Sequence, residues 1–154
     1  MIDGLLATLG LYGATLAVAF LAGMFPLLSI EAFLIGVTLT LHVPIAVMVA
    51  LIGIAALGHQ FAKTVTYFAG AGAFELPRGK MRARLEAMKQ RIVRWNRRPR
   101  LVMLVAATVG LPPLYLLGFL AQPVLKIPFP TFTAISLAGR IGRYATLVAV
   151  ARLF

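Results

Sequence analysis

Only four acids occur among the 154 residues, and one of them, Glu31, lies inside the stretch FPLLSIEAFLIG, residues 25–36. Apolar runs flank it on both sides. A carboxylate at membrane depth is costly and usually faces a cavity or a partner. Two cations, Arg140 and Arg143, interrupt a second apolar run in GRIGRY, residues 139–144. Three residues apart, they share one face of a helix. A planar fork of guanidinium donors suits a phosphate headgroup. A third set, His59, Lys63 and Tyr67, recurs every four residues and forms another helical face.

Each set has more than one reading. Glu31 is either a proton-coupling or gating acid, or the structural partner of Arg140, Arg143 or Lys63, or an acid standing in water at an interface. The arginines either hold a phosphate or snorkel to an interface. The His59, Lys63 and Tyr67 face either lines a polar path or is wet because its helix has already left the hydrocarbon. A helix of some thirty residues at about 1.5 Å each favours the wet face.

Enzyme chemistry has no set of residues to work with. There is no cysteine, which excludes disulfides, thiolate metal sites and a cysteine nucleophile. Two histidines, His42 and His59, and four scattered acids do not cluster as metal ligands do. No glycine-rich phosphate loop of the P-loop kind is present. Ser29 stands near Glu31 but lacks a third partner. The expectation is therefore no enzyme, no cofactor and no metal. His42, beside Pro44, reads as an interfacial residue.

Composition says where these residues must sit. The chain is 61% hydrophobic and only 12% charged, against about a quarter charged in an ordinary soluble domain. It cannot cover a water-facing surface, so the expected class is an all-α polytopic membrane protein in a single domain. The net charge is +11, and ten of the fifteen Lys and Arg fall between Arg78 and Arg100. Flanked by apolar spans, that cluster reads as a cytoplasmic segment under the positive-inside rule and not as a nucleic-acid surface.

The pattern predicts six segments. Residues 4–23 are long enough to span a hydrocarbon core. Asp3 precedes them without Lys or Arg, and the run exceeds a signal-peptide core, so it reads as a retained helix. Pro26 stops it. Residues 26–42 are too short for a comfortable span and read as a re-entrant segment. Pro44 opens a helix over 44–74, where proline's fixed φ costs least, and Pro77 and Gly79 end it.

Residues 78–100 follow. Met81, Leu85, Met88, Ile92 and Trp95 make one apolar stripe, with Arg82, Arg84, Lys89, Arg91 and Arg94 off it. Such a basic amphipathic helix lies in the membrane interface or covers a partner. Pro99 is expected to break it. Residues 101–122 are apolar but interrupted by Gly110, Pro112 and Pro113, so they either turn back or form a broken span. Residues 131–152 are the last span and carry Arg140 and Arg143.

The two proline-broken segments echo one another. Pro26, Leu28, Phe33 and Leu34 align with Pro112, Leu114, Phe119 and Leu120, and Ala32 falls opposite Gly118. Paired broken segments in two halves point to an inverted repeat with its binding site at the repeat interface.

A family shares this order of motifs: a Pro-x-x-x-x-Glu segment, then Gly58, His59, Gln60, Tyr67 and Gly70, a basic stretch, a proline-broken segment ending in Gly118, then Phe132 and GRIGRY. The chain resembles the DedA family, also called VTT-domain or SNARE-associated Golgi proteins, and is most like its short bacterial members. The resemblance runs from about residue 26 to 150. It implies two re-entrant segments entering from opposite sides of a bacterial inner membrane, with 78–100 cytoplasmic. It also implies movement of phospholipids or polyprenyl phosphates between leaflets, as a scramblase or flippase does.

By position, Glu31 resembles the family's acid in the first re-entrant segment, which Pro26 opens. Pro112, Pro113 and Gly118 resemble the second. Longer members place arginines in that second segment, and residues 101–122 here contain none. Arg140 and Arg143 would then have to supply the charge. The resulting expectation is an anionic lipid partner lined by Glu31, His59, Lys63, Arg140 and Arg143, with homo-oligomerisation left open. Two rivals stand beside it: a non-catalytic subunit or scaffold of a larger membrane complex, and a proton-coupled transporter of a small solute.

Overall fold

The computed structural model describes residues 2–25, 27–41, 43–75, 83, 87, 90, 99–109, 118, 121 and 125–153. Among these there is no strand. The helices traced among the described residues are, in order, α1 (Ile2–Met24), α2 (Ile30–Leu41), α3 (Ile45–Glu75), α4 (Pro99–Val109) and α5 (Phe129–Ala151).

Local chemistry sets their ends. A turn follows α1, closed by the Leu28 N–H donating to the Phe25 carbonyl at 3.2 Å. Ser29 then caps α2, its Oγ accepting the Ala32 N–H at 3.1 Å, the usual service of an N-cap serine to an orphan donor. The Pro44 carbonyl accepts from Met48 at 3.0 Å and starts α3. Helix α5 begins two residues earlier than its apolar run suggests. Pro130 falls within its first turn, where a missing N–H breaks no bond.

Pro99 opens α4, so Pro99 and Arg100 belong to that helix and not to the basic segment before it. Proline is well suited to a first helical position. Of the expected basic helix over 78–100, Ala83, Ala87 and Gln90 are helical and exposed. Its apolar stripe and its off-stripe cations lie outside the described residues, as do Pro26, His42, Pro112 and Pro113.

The chain forms two compact units, one of Met1–Ala62 with Arg140–Phe154, the other of Lys63–Gly139. Helices α3 and α5 each contribute a stretch to both. In the first unit α1 and α3 come very close. A Cβ built on Gly58 would lie 2.9 Å from the Leu16 carbonyl oxygen and 3.0 Å from the Ala19 Cβ. One built on Gly23 would lie 2.5 Å from the Ala62 Cβ. Ala19 and Gly23 thus face Gly58 and Ala62, two pairs of small residues four apart. This spacing lets helix backbones approach where lipid removes the hydrophobic drive to associate. Thr15 and Thr38 bury their hydroxyls by donating to Leu11 and Leu34 carbonyls of their own helices at 2.7 Å. At the end of α5, Arg152 Nη2 donates to the Val43 carbonyl at 2.8 Å.

The second unit is built around Tyr67, which packs with Met103, Ala121, Leu125, Ile127 and Phe132. Its ring lies 5.0 Å from that of Phe132 and 5.3 Å from that of Phe129. Its hydroxyl donates to the Ile127 carbonyl at 2.9 Å. Lys126 turns the chain there with φ of 53°. Gly118 is helical and buried, with Phe132 3.6 Å from where its Cβ would stand. Gly139 lies against Ala107, whose Cβ is 2.5 Å from the position a Gly139 Cβ would take.

Of the face carrying His59, Lys63 and Tyr67, expected to be wet, two residues are buried and His59 is half-buried. Lys63 and Tyr67 are each only 4% exposed. The exposed large residues of α3 are instead Ile45, Val49, Leu57, Phe61, Val65 and Phe68. Apolar outside and polar inside inverts the arrangement of a water-facing helix. Residues Ile45–Gly70 of α3 are long and apolar enough to cross a membrane, the one such helix found among the described residues. Helix α2 is apolar but only 12 residues long.

Candidate functional site

The polar side chains of the first unit converge from three helices. The Ser29 cap places Glu31 in the first turn of α2, where a carboxylate complements the positive end of the helix dipole. The Ser29 hydroxyl also donates to Glu31 Oε2 at 3.0 Å. The other oxygen, Oε1, meets Arg143 Nη2 at 3.2 Å. The pair is partly accessible, with Arg143 31% and Glu31 22% exposed.

Arg140 lies on the same face of α5, one turn before Arg143, and is 3% exposed. Its Nη1 donates to Gln60 Oε1 on α3 at 2.8 Å. Its Nη2 is buried with no hydrogen-bond partner. Glu31 is close enough for its charge to act on Arg140 as well. Tyr144, four residues after Arg140 and fully buried, places its hydroxyl 3.1 Å from His59 Nδ1.

A buried guanidinium normally has its donors satisfied and its charge compensated. Arg140 is served by one amide oxygen and the more distant Glu31, so it retains an open donor that an anionic oxygen or a water would fill. Arg143 and Glu31 stand at the accessible side of the same cluster. The arrangement can bind and exchange an anion. Among the described residues no group of His, Cys, Asp or Glu is placed to hold a metal ion.

Four of the sequence-predicted residues, Glu31, His59, Arg140 and Arg143, come together here. Lys63 belongs to the second unit and is buried there. Gly118 is also in the second unit. Gln60 and Tyr144 are site residues that the sequence reading names only within motifs. The signals for them were present: Tyr144 lies one helical turn beyond Arg140, and Gln60 is an amide in an apolar helix beside His59. Comparison with models of protein families, with curated proteins and with solved structures returned no match.

Proposed function

We propose that the protein is a polytopic inner-membrane protein of DedA type that moves an anionic lipid, a phospholipid or a polyprenyl phosphate, between leaflets without a covalent step. The observation that carries this reading is the open, buried donor of Arg140, one helical turn from the Arg143 that pairs with Glu31. The apolar outward face of α3 supports placement in lipid, since large exposed apolar surface on a monomer marks a membrane or a partner.

In this mechanism Glu31 is the resident counter-ion of the arginines. An arriving phosphate displaces the carboxylate from Arg143 and adds a bond to the free Nη2 of Arg140. When the headgroup leaves, Glu31 returns, so the cations are not left uncompensated in a medium of low dielectric. Two arginines supply planar, permanently charged forks for phosphate oxygens. Helix α2 belongs to the first re-entrant segment, and residues 78–100 gather anionic lipid at the cytoplasmic face.

The test is lipid transfer in reconstituted vesicles containing phosphatidylglycerol, phosphatidylethanolamine or a polyprenyl phosphate. The protein should accelerate transfer of at least one, and Arg140→Ala should slow it. Transfer no faster than in protein-free vesicles for all three would sink the proposal.

A further inference from the structure

The first unit holds a second feature, away from the arginine cluster. Ala7, Gly10 and Ala14 line one side of a groove whose other side is formed by Leu41, Pro44 and Val47. Its volume is about 470 Å³, within the range of small-molecule sites. From Ala7 to Ala14 it runs roughly 10 Å along α1. Leu11 joins the three small residues in its α1 wall, and a Cβ on Gly10 would meet nothing within 4 Å. Val43 also lines the groove, and its carbonyl is the one that accepts from Arg152 at 2.8 Å. An apolar trough therefore has a cation at its rim. Arg152 is exposed and uses one of the five N–H donors of a guanidinium on Val43.

We infer that this groove holds one acyl chain of a resident anionic phospholipid whose phosphate is bound by Arg152. The apolar trough sets the class of occupant, because a chain of methylenes fills it without stranding a polar group. It does not set the headgroup, because lipid tails are as apolar as the protein surface they pack on. Selection falls to Arg152, whose fork matches phosphate oxygens. Among the described lining residues none is a carboxylate, and a basic residue near the headgroup favours an anionic lipid over a zwitterionic one. Arg152 lies nine residues beyond Arg143, about 13 Å along α5, so this site is distinct from the arginine cluster. The inference rests on the membrane reading but not on lipid movement.

Photo-crosslinking in phosphatidylcholine vesicles tests it. Two probes carry a diazirine on an acyl chain, one a phosphatidylglycerol and one a phosphatidylcholine, and adducts are mapped by mass spectrometry. The phosphatidylglycerol probe should label residues 7–14 and 41–47 more than the phosphatidylcholine probe. The expected excess is on the order of fivefold, the effect of one basic residue near anionic headgroups. Arg152→Gln should equalise the probes. Gly10→Leu, which fills open space, should suppress both in these segments while leaving labelling of Val49 and Phe61 on the outer face of α3 unchanged. Equal labelling by the two probes in the wild type, or no response to Gly10→Leu, overturns the inference. Absence of label from the α3 face as well overturns the membrane reading with it. Transfer rates measured in the same vesicles report separately on lipid movement.

Discussion

The Glu31 carboxylate meets the Arg143 guanidinium at 3.2 Å, joining the first turn of α2 to the body of α5. Ser29 holds the acid's second oxygen at 3.0 Å, so the acid is oriented before the arginine arrives. A double-mutant cycle of Glu31→Gln and Arg143→Gln, read by unfolding in mild detergent, should return a coupling on the order of 1 kcal/mol, as for a partly exposed pair. Strictly additive effects would mean that the two charges do not pair. In the lipid-transfer assay Glu31→Gln should slow the wild-type rate.

Arg140 separates stability from transport. Arg140→Ala removes the bond that Gln60 Oε1 accepts at 2.8 Å, and the buried charge-assisted bond lost should cost about 1–3 kcal/mol. Arg140→Met combined with Gln60→Leu replaces both polar groups by apolar ones and should recover most of that stability. Lipid transfer should stay slow in the double variant. Recovery of transfer together with stability would show that the guanidinium is structural only.

The close approach of α1 and α3 makes glycine substitutions diverge. Gly58→Ala places a methyl 2.9 Å from the Leu16 carbonyl oxygen, and the helices must separate at a cost of about 1–3 kcal/mol. Gly142→Ala meets nothing within 4 Å and should be stabilising by roughly 0.5–1 kcal/mol through helix propensity. Midpoints of thermal unfolding in detergent should move in opposite directions.

Tyr67→Phe keeps the ring among Phe129 and Phe132 but removes the donor to the Ile127 carbonyl. The expected cost is about 1 kcal/mol, seen as a lower unfolding midpoint. An unchanged midpoint would mean that water replaces the hydroxyl at that carbonyl.

Much of this was legible because the signals are local. Proline and the length of an apolar run are enough to find α1, α2 and α3 within a few residues. That Pro99 and Arg100 belong to α4 was not legible, because a proline can end one helix or open the next, and sequence alone does not say on which side the helix lies. The pairing of Glu31 with an arginine was foreseeable, since a chain so poor in charge offers few partners. Whether Arg140 or Arg143 would be that partner was not, because the choice depends on the rotation of α5 about its axis. The spacing of His59, Lys63 and Tyr67 announces a shared face but not what covers it. Gln60 and Tyr144 carry no charge, so nothing in the composition marks them as expensive to bury.

Where Gly23 meets Ala62, and Gly58 meets Leu16 and Ala19, α1 and α3 touch with almost no side chain between them. Such a seam resists sliding, because any shift along it drives a carbon into main-chain atoms and closely packed interiors do not yield continuously. Helix α5 is bolted to α3 by Arg140 with Gln60 and by Tyr144 with His59. Helix α2 is tied to α5 by the partly accessible Glu31–Arg143 contact. Helix α2 also buries Ile30, Leu34, Val37 and Thr38, so each helix of the unit is held by its neighbours, and the ion pair is a tie that water can reach.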